Sequence, residues 1–252
     1  MRPTLLLLHG FPLDHTLWDA NVEVLRSKVD VIAPDLPGFG SAGLTGLEVT
    51  MESYAQAVLE DMDRRGIGTF TPCGLSMGGY VAMALVERAP ERMAGLILCN
   101  TRSTADTPEG MIARETTARE ATERGMDVIA RGMIPKVLGR TTRAQNPGLS
   151  GNIERMIARQ DPQAVAAASR GMAKRRDRTD VLRAFYRPAL VITGAEDELM
   201  PLPTSQAMVE ALPSGELVVI ERAGHLSNVE RPDAFNAAVL GYLDLLASWE
   251  RP

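Results

Sequence analysis

The sequence predicts an α/β protein: a mostly parallel sheet of about six strands flanked by helices, with an all-helical insertion in its middle. Three observations carry that expectation. Short apolar runs alternate with longer amphipathic stretches, the order that builds a parallel sheet wrapped by helices. The runs are apolar throughout rather than alternating, as strands covered on both faces are. The alternation stops between Thr101 and Arg187, where helical patterns follow one another without a strand, and it resumes at Pro188.

Each element follows in order. Thr4–Leu8 reads as a buried strand; its four leucines are too few for a signal-peptide core or a membrane span. A helical pattern starts near Asp14 and runs through Leu17, Trp18, Val22 and Leu25, leading to a strand over Val29–Ala33. A second helix begins at Thr50, with Glu52 and Ser53 following and Tyr54, Val58, Leu59 and Met62 on one face. Phe70–Cys73 and Gly95–Cys99 are the next strands. The first holds Pro72, which removes a ladder hydrogen bond from a central strand, and the sequence offers no compensation for it. Residues 101–187 read as several short helices punctuated by Gly125, Gly132, Pro135, Gly139, Pro147-Gly148, Gly151 and Pro162. Ala189–Thr193 and Leu217–Ile220 complete the strands, and an amphipathic helix around Pro232 to Trp249 follows. The expected organisation is a core of 1–100 and 188–252 interrupted by a helical insertion over 101–187.

The 252 residues suffice for one such domain, and the apolar and charged fractions, 45% and 23%, are those of a soluble globular protein. A net charge of −5 gives no reason to expect nucleic acid as a partner. The charge is uneven. Residues 101–187 hold 17 Lys and Arg against 10 Asp and Glu, a balance of +7, and the remainder carries −12. With no membrane segment expected, the reading is a cytoplasmic protein. Cys73 and Cys99 make neither a disulfide framework nor a zinc site, and read as two reduced core thiols.

Chemistry points to one stretch. Gly74-Leu75-Ser76-Met77-Gly78 matches G-x-S-x-G, follows a strand and opens a helix. A serine at such a turn is lifted clear of the sheet, and the helix N-terminus aims N–H groups at it. Seen alone, the pentapeptide is equally an ordinary glycine-rich turn. A serine hydroxyl needs a base, and among His9, His15 and His225 the last sits on the loop leaving the final strand, at the same sheet edge. An acid must orient that base; Glu196, Asp197 and Glu198 follow the strand Ala189–Thr193. The chain order is serine, acid, histidine. The loop His9-Gly10-Phe11-Pro12 can turn one N–H toward a developing oxyanion, and Met77, after the serine, supplies the second.

The motifs HGFPLDHTLW, DLPGFGSA, CGLSMGG, VITGAEDELMP and AGHLSNVERPDAFN together resemble the α/β-hydrolase fold superfamily over Leu5 to about Leu246, with wording similar to the carboxylesterase and 3-oxoadipate enol-lactonase branch. The resemblance implies Ser76 as nucleophile, His225 as base, Asp197 as acid, and the Phe11 and Met77 N–H groups as the oxyanion hole. It leaves Glu196 and Glu198 as a solvent-facing pair, Asp35 as a loop organiser and Trp18 as a packing residue. Members commonly carry one or two strands before the first one seen here, so a six-stranded sheet with an open edge is expected, as a monomer or homodimer. The implied activity is hydrolysis of a small carboxylic ester or lactone through an acyl-enzyme, with no metal or organic cofactor. The same triad serves perhydrolase, thioesterase, C–C hydrolase or cyanohydrin lyase chemistry, and a ligand-binding receptor is the non-enzyme alternative. The insertion would cap the site, its Met111, Met126, Ile129, Met133, Ile134, Leu138, Met156, Ile157 and Met172 forming cap core and part of an apolar pocket. Its basic excess fits either a carboxylate-bearing substrate or a solvated arginine-rich surface.

Overall fold

The computed structural model describes residues 2–44 and 48–249; residue 1 and residues 250–252, at the ends of the expected core segments, lie outside them. Strands form where the apolar runs stand: β1 (Thr4–Leu8), β2 (Asp30–Ile32), β3 (Thr71–Leu75), β4 (Leu96–Cys99), β5 (Ala189–Gly194) and β6 (Gly215–Ile220). They pair in the order β2-β1-β3-β4-β5-β6, each pair parallel. β3, β4 and β5 are buried along their whole length, as strands covered on both faces are. The two edge strands are less covered: in β2 Asp30 is exposed and Ile32 half-buried, and in β6 Leu217, Val218 and Val219 are only half-buried.

Asp14 caps a single 3-10 turn over His15–Trp18, which leads into α1 (Asp19–Arg26). α2 (Met51–Arg64) starts at a reciprocal capping box between Thr50 and Ser53 and buries Tyr54, Val58, Leu59 and Met62. α3 (Met77–Arg88) follows β3 directly and is buried over most of its length. The chain leaves β1 for β2 on one side and returns through α2 to β3 on the other. β1 and β3 are therefore neighbours whose connections diverge, and the crevice at their carboxyl ends is where open α/β sheets bind ligands.

Pro72 sits in β3 opposite a bulge. Phe70 donates its N–H to Arg92 O at 2.9 Å and accepts from Ala94 N at 2.9 Å, so Phe70 pairs with Met93. Three residues on, Cys73 pairs with Ile97. Residues 71 and 72 thus face residues 94 to 96, one extra residue on the β4 side. Backbone groups alternate sides along a strand, so the Pro72 nitrogen points the way Phe70 does, into the bulge, where no ladder bond is called for. The hydroxyl of Tyr242, from the helix Pro232–Trp249, enters beside it, accepting from Leu96 N at 2.9 Å and donating to Pro188 O at 2.8 Å. Cys73 and Cys99 are buried, unbonded neighbours with sulfurs 3.8 Å apart, and burial pushes the Cys99 thiol well above its ordinary pKa.

Between β4 and β5 run α4 (Pro108–Arg124), α5 (Met126–Val137), α6 (Arg140–Gln145), α7 (Pro147–Ala158), α8 (Pro162–Ala173) and α9 (Thr179–Arg183). α4 packs on α8, and α5 on α7. Gly125, Gly139, Pro147 and Pro162 mark helix boundaries, whereas Gly132 and Pro135 lie inside α5 and Gly151 inside α7. The buried guanidinium of Arg178 reaches Glu52 of α2 and Glu87 of α3, tying this segment to the sheet layer. α10 (Leu202–Ala211), α11 (Ser227–Glu230) and α12 (Pro232–Trp249) complete the chain.

Candidate active site

Ser76 occupies the turn between β3 and α3 with φ 54° and ψ −111°, a conformation most side chains avoid. The turn is enforced by close backbone approach. A Cβ on Gly74 would lie 2.2 Å from Gly78 O, and one on Gly78 would lie 2.1 Å from Leu8 O. Ser76 N donates to Cys99 O at 2.9 Å, and Thr101 Oγ1 donates to Ser76 O at 2.8 Å, so β4 holds the turn from its other side.

His225 lies on the loop after β6 and brings Nε2 to 2.8 Å from Ser76 Oγ. Its Nδ1 stands 2.9 Å from Asp197 Oδ2, on the loop after β5. Asp197 is almost fully buried. Its Oδ1 accepts from Leu199 N at 2.9 Å and Met200 N at 3.0 Å, and its Oδ2 from Asn100 Nδ2 at 2.8 Å. Burial works against ionisation, yet His225 beside it and the hydrogen bonds from His225, Asn100 and Met200 hold its carboxyl below the ordinary value. Sequence reasoning missed Asn100. It follows β4 at the same sheet edge, at φ 47°, and is itself fixed by Ser227 Oγ donating to its Oδ1 at 2.6 Å. A polar asparagine directly after a wholly apolar strand was the available signal.

Glu230 is the second residue that the sequence did not single out. Buried in α11, it accepts from the N–H groups on both sides of His225, Gly224 at 2.9 Å and Leu226 at 3.2 Å, and from Gly139 N of the helical segment at 2.9 Å. Glu196 departs from its expectation. It is not solvent-facing but largely buried, accepting from Thr141 N at 2.8 Å and from the Thr141 hydroxyl; Glu198 is exposed. Trp18 is fully buried against Phe235 and packs without reaching the cavity.

Phe11 follows β1, and Met77 is the first residue of α3. Among the described residues neither N–H donates to another group. His9 braces the loop before Phe11: buried, it accepts from Leu36 N at Nε2, 3.0 Å, and its Nδ1 stands 3.0 Å from Gly10 O. Burial lowers its pKa and keeps it neutral. Asp14, His15 and Asp35 also converge, but as a loop clamp. Both Asp14 oxygens accept from Arg159, at 2.9 Å and 2.8 Å, and Asp35 accepts from His15 N at 2.8 Å and Ser41 N at 2.9 Å. Burial opposes ionisation of Asp35, and these hydrogen bonds bring its pKa down to about 2.

A cavity of about 360 Å³ opens over Ser76 and His225. Phe11, Leu199 and Met200 line it from the sheet edge, and Arg102, Arg114, Ile129, Met133 and Met172 from the helical segment. Of the expected apolar residues of that segment, Met126, Ile129, Leu138, Met156, Ile157 and Met172 are buried, while Met111 is exposed. No described helix is long and apolar enough to cross a membrane.

Residues 5–238 match the Alpha/beta hydrolase family. The chain is 27% identical to 3-oxoadipate enol-lactonase 2 of Acinetobacter baylyi, covering 94% of this chain and 87% of that protein. It is 28% identical to the pimeloyl-[acyl-carrier protein] methyl ester esterase of Nitrosomonas europaea, covering 92% of each. Among solved structures, a thermophilic esterase from Thermogutta terrifontis, with malate bound, is 39% identical with a TM-score of 0.94, over 97% of this chain and 90% of that one.

Proposed function

The chain belongs to the alpha/beta hydrolase family, and from that premise we propose that it hydrolyses a small carboxylic ester or lactone through an acyl-enzyme on Ser76. The observation that carries this reading is the continuous contact Ser76 Oγ, His225 Nε2, His225 Nδ1, Asp197 Oδ2, at 2.8 Å and 2.9 Å. Ionised Asp197 accepts from Nδ1–H, which leaves Nε2 free to take the serine proton as Oγ attacks the carbonyl. The Phe11 and Met77 N–H groups receive the oxyanion. His225 then protonates the leaving group, and water repeats the sequence on the acyl-enzyme. Residues 101–187 act as a cap whose side chains form the outer wall of the cavity, over a core of 1–100 and 188–252. The names of the relatives, esterases and an enol-lactonase, support ester hydrolysis as the general chemistry.

The test is hydrolysis of a short-chain p-nitrophenyl ester by wild type and Ser76→Ala side by side. Turnover by the wild type with a silent variant is the expected result. Equal, slow release by both would overturn the reading and point to a ligand-binding protein.

A further inference from the structure

The cavity wall opposite the sheet edge carries an unbalanced charge. Asp106 has a side chain only 1% exposed, and it is the single carboxylate shared by three guanidinium groups: Arg102, Arg114 at 3.2 Å and Arg175 at 2.7 Å. Arg175 is buried behind the wall and stacks over the Tyr80 ring at 4.1 Å. Arg102 and Arg114, with side chains 26% and 22% exposed, line the cavity with Ser76. Arg102 Nε is buried with no partner among the described residues. Three cations around one anion leave two positive charges without a counter-charge in a partly desolvated wall, an arrangement that an incoming anion would complete. Of the other charged residues lining the cavity, Glu120 is already paired with Arg124 at 3.0 Å, and Lys136 adds a further positive charge.

The shape of the site selects the anion. A planar guanidinium matches a carboxylate through paired hydrogen bonds. The remaining wall, with Val128, Ile129, Met133 and Met172, suits an aliphatic chain. We propose that this cavity takes an ester whose acyl part ends in a second carboxylate, bound by Arg102 and Arg114 while the ester carbonyl lies at Ser76. The proposal rests on the esterase reading for its chemistry; the binding it requires is measurable without turnover.

Two arms separate the claims. In Ser76→Ala protein, calorimetry compares monoethyl adipate and monoethyl suberate with the ethyl esters of the matching ω-carboxamides, which are neutral and nearly the same size. The anion is expected to bind about tenfold or more tightly, with the preference shrinking as salt rises. Adding Arg114→Gln or Arg102→Gln to that protein should collapse the preference. Arg183→Gln, which loses the same charge on α9 outside the cavity, should leave it unchanged. Equal binding of anionic and neutral esters, or a preference that survives both pocket substitutions, would overturn the proposal. In wild-type protein, ethanol release from the same esters tests the chemistry. Hydrolysis of anionic and neutral esters with equal kcat/KM keeps the esterase and removes the carboxylate subsite. Selective binding without any hydrolysis keeps the subsite and removes the esterase.

Discussion

The sheet edge around Ser76 and the helical wall around Asp106 are built from different materials. At the sheet edge the backbone itself leaves no room: Gly78 faces Leu8 O at a distance no side chain tolerates, and main-chain N–H groups fix the Asp197 carboxylate. In the wall, position is set by side-chain charges that meet across the chain, Arg175 to Asp106 and Arg178 to Glu52 and Glu87. Steric constraint is all-or-none, whereas ion pairs weaken by degrees with pH, salt and substitution. The proposed chemistry therefore stands on the rigid half and the proposed carboxylate specificity on the adjustable half.

The largest effect expected is at the rigid half. Asp197→Asn keeps the shape of the side chain, but Leu199 N and Met200 N both donate to Oδ1, so the amide oxygen has to take that position. The amide NH₂ then faces His225 Nδ1 and forces the proton onto Nε2, where it cannot accept from Ser76. A loss of about 10³- to 10⁴-fold in kcat follows, with secondary structure intact by circular dichroism. Gly78→Ala comes next. Its Cβ meets the backbone of Leu8 and His9, not a movable side chain, and about 3 kcal/mol or more of stability should be lost in urea unfolding. A mild loss there would show the elbow to be softer than its geometry implies.

This contrast also explains what the sequence made legible. All six strands stand within a few residues of their apolar runs, and Ser76, His225 and Asp197 converge, because local spacing and chain order encode a parallel sheet with its loops on one edge. The misses have partners far away. Asn100 reaches Asp197, Glu196 reaches Thr141 and Glu230 reaches Gly139, and no local pattern marks such pairs. Pro72 was visible only as an anomaly, since its answer lies in one extra residue on a strand that begins two dozen positions later. Pro135 and Gly132 punctuate α5 on paper but sit inside it, because packing on α7 outweighs their weak helix propensity.

The wall should respond to acid through one carboxylate. Burial opposes ionisation of Asp106, but Arg175 and Arg114 bring its pKa down from 3.8 to about 2. A depressed carboxylate contributes stability that is complete above its unfolded pKa and is lost as pH falls from about 4 to about 2, here about 2 kcal/mol. Asp106→Asn should cost at least that much at neutral pH, since three guanidinium groups then face one another. The gap between variant and wild type in urea midpoints should close as pH approaches 2. A gap independent of pH would mean that Asp106 acts through packing alone.

Glu230 joins the two halves and offers the finest test. One carboxylate receives the N–H groups flanking His225 through Oε1 and the Gly139 N–H of the helical segment through Oε2. In Glu230→Gln a single carbonyl oxygen remains, so the NH₂ confronts an N–H donor on one side or the other. If the oxygen stays with Gly224 and Leu226, the His225 loop holds, the contact to Gly139 is lost, and the effect falls on KM through the wall. If it stays with Gly139, His225 shifts away from Ser76 and kcat falls. The two N–H groups at Oε1 outweigh the one at Oε2, so a rise in KM with kcat within about tenfold of wild type is expected, roughly 1.4 kcal/mol at most. A kcat loss approaching that of Asp197→Asn would mean that the histidine loop depends on the helical segment, and that the rigid half extends further than the sheet edge.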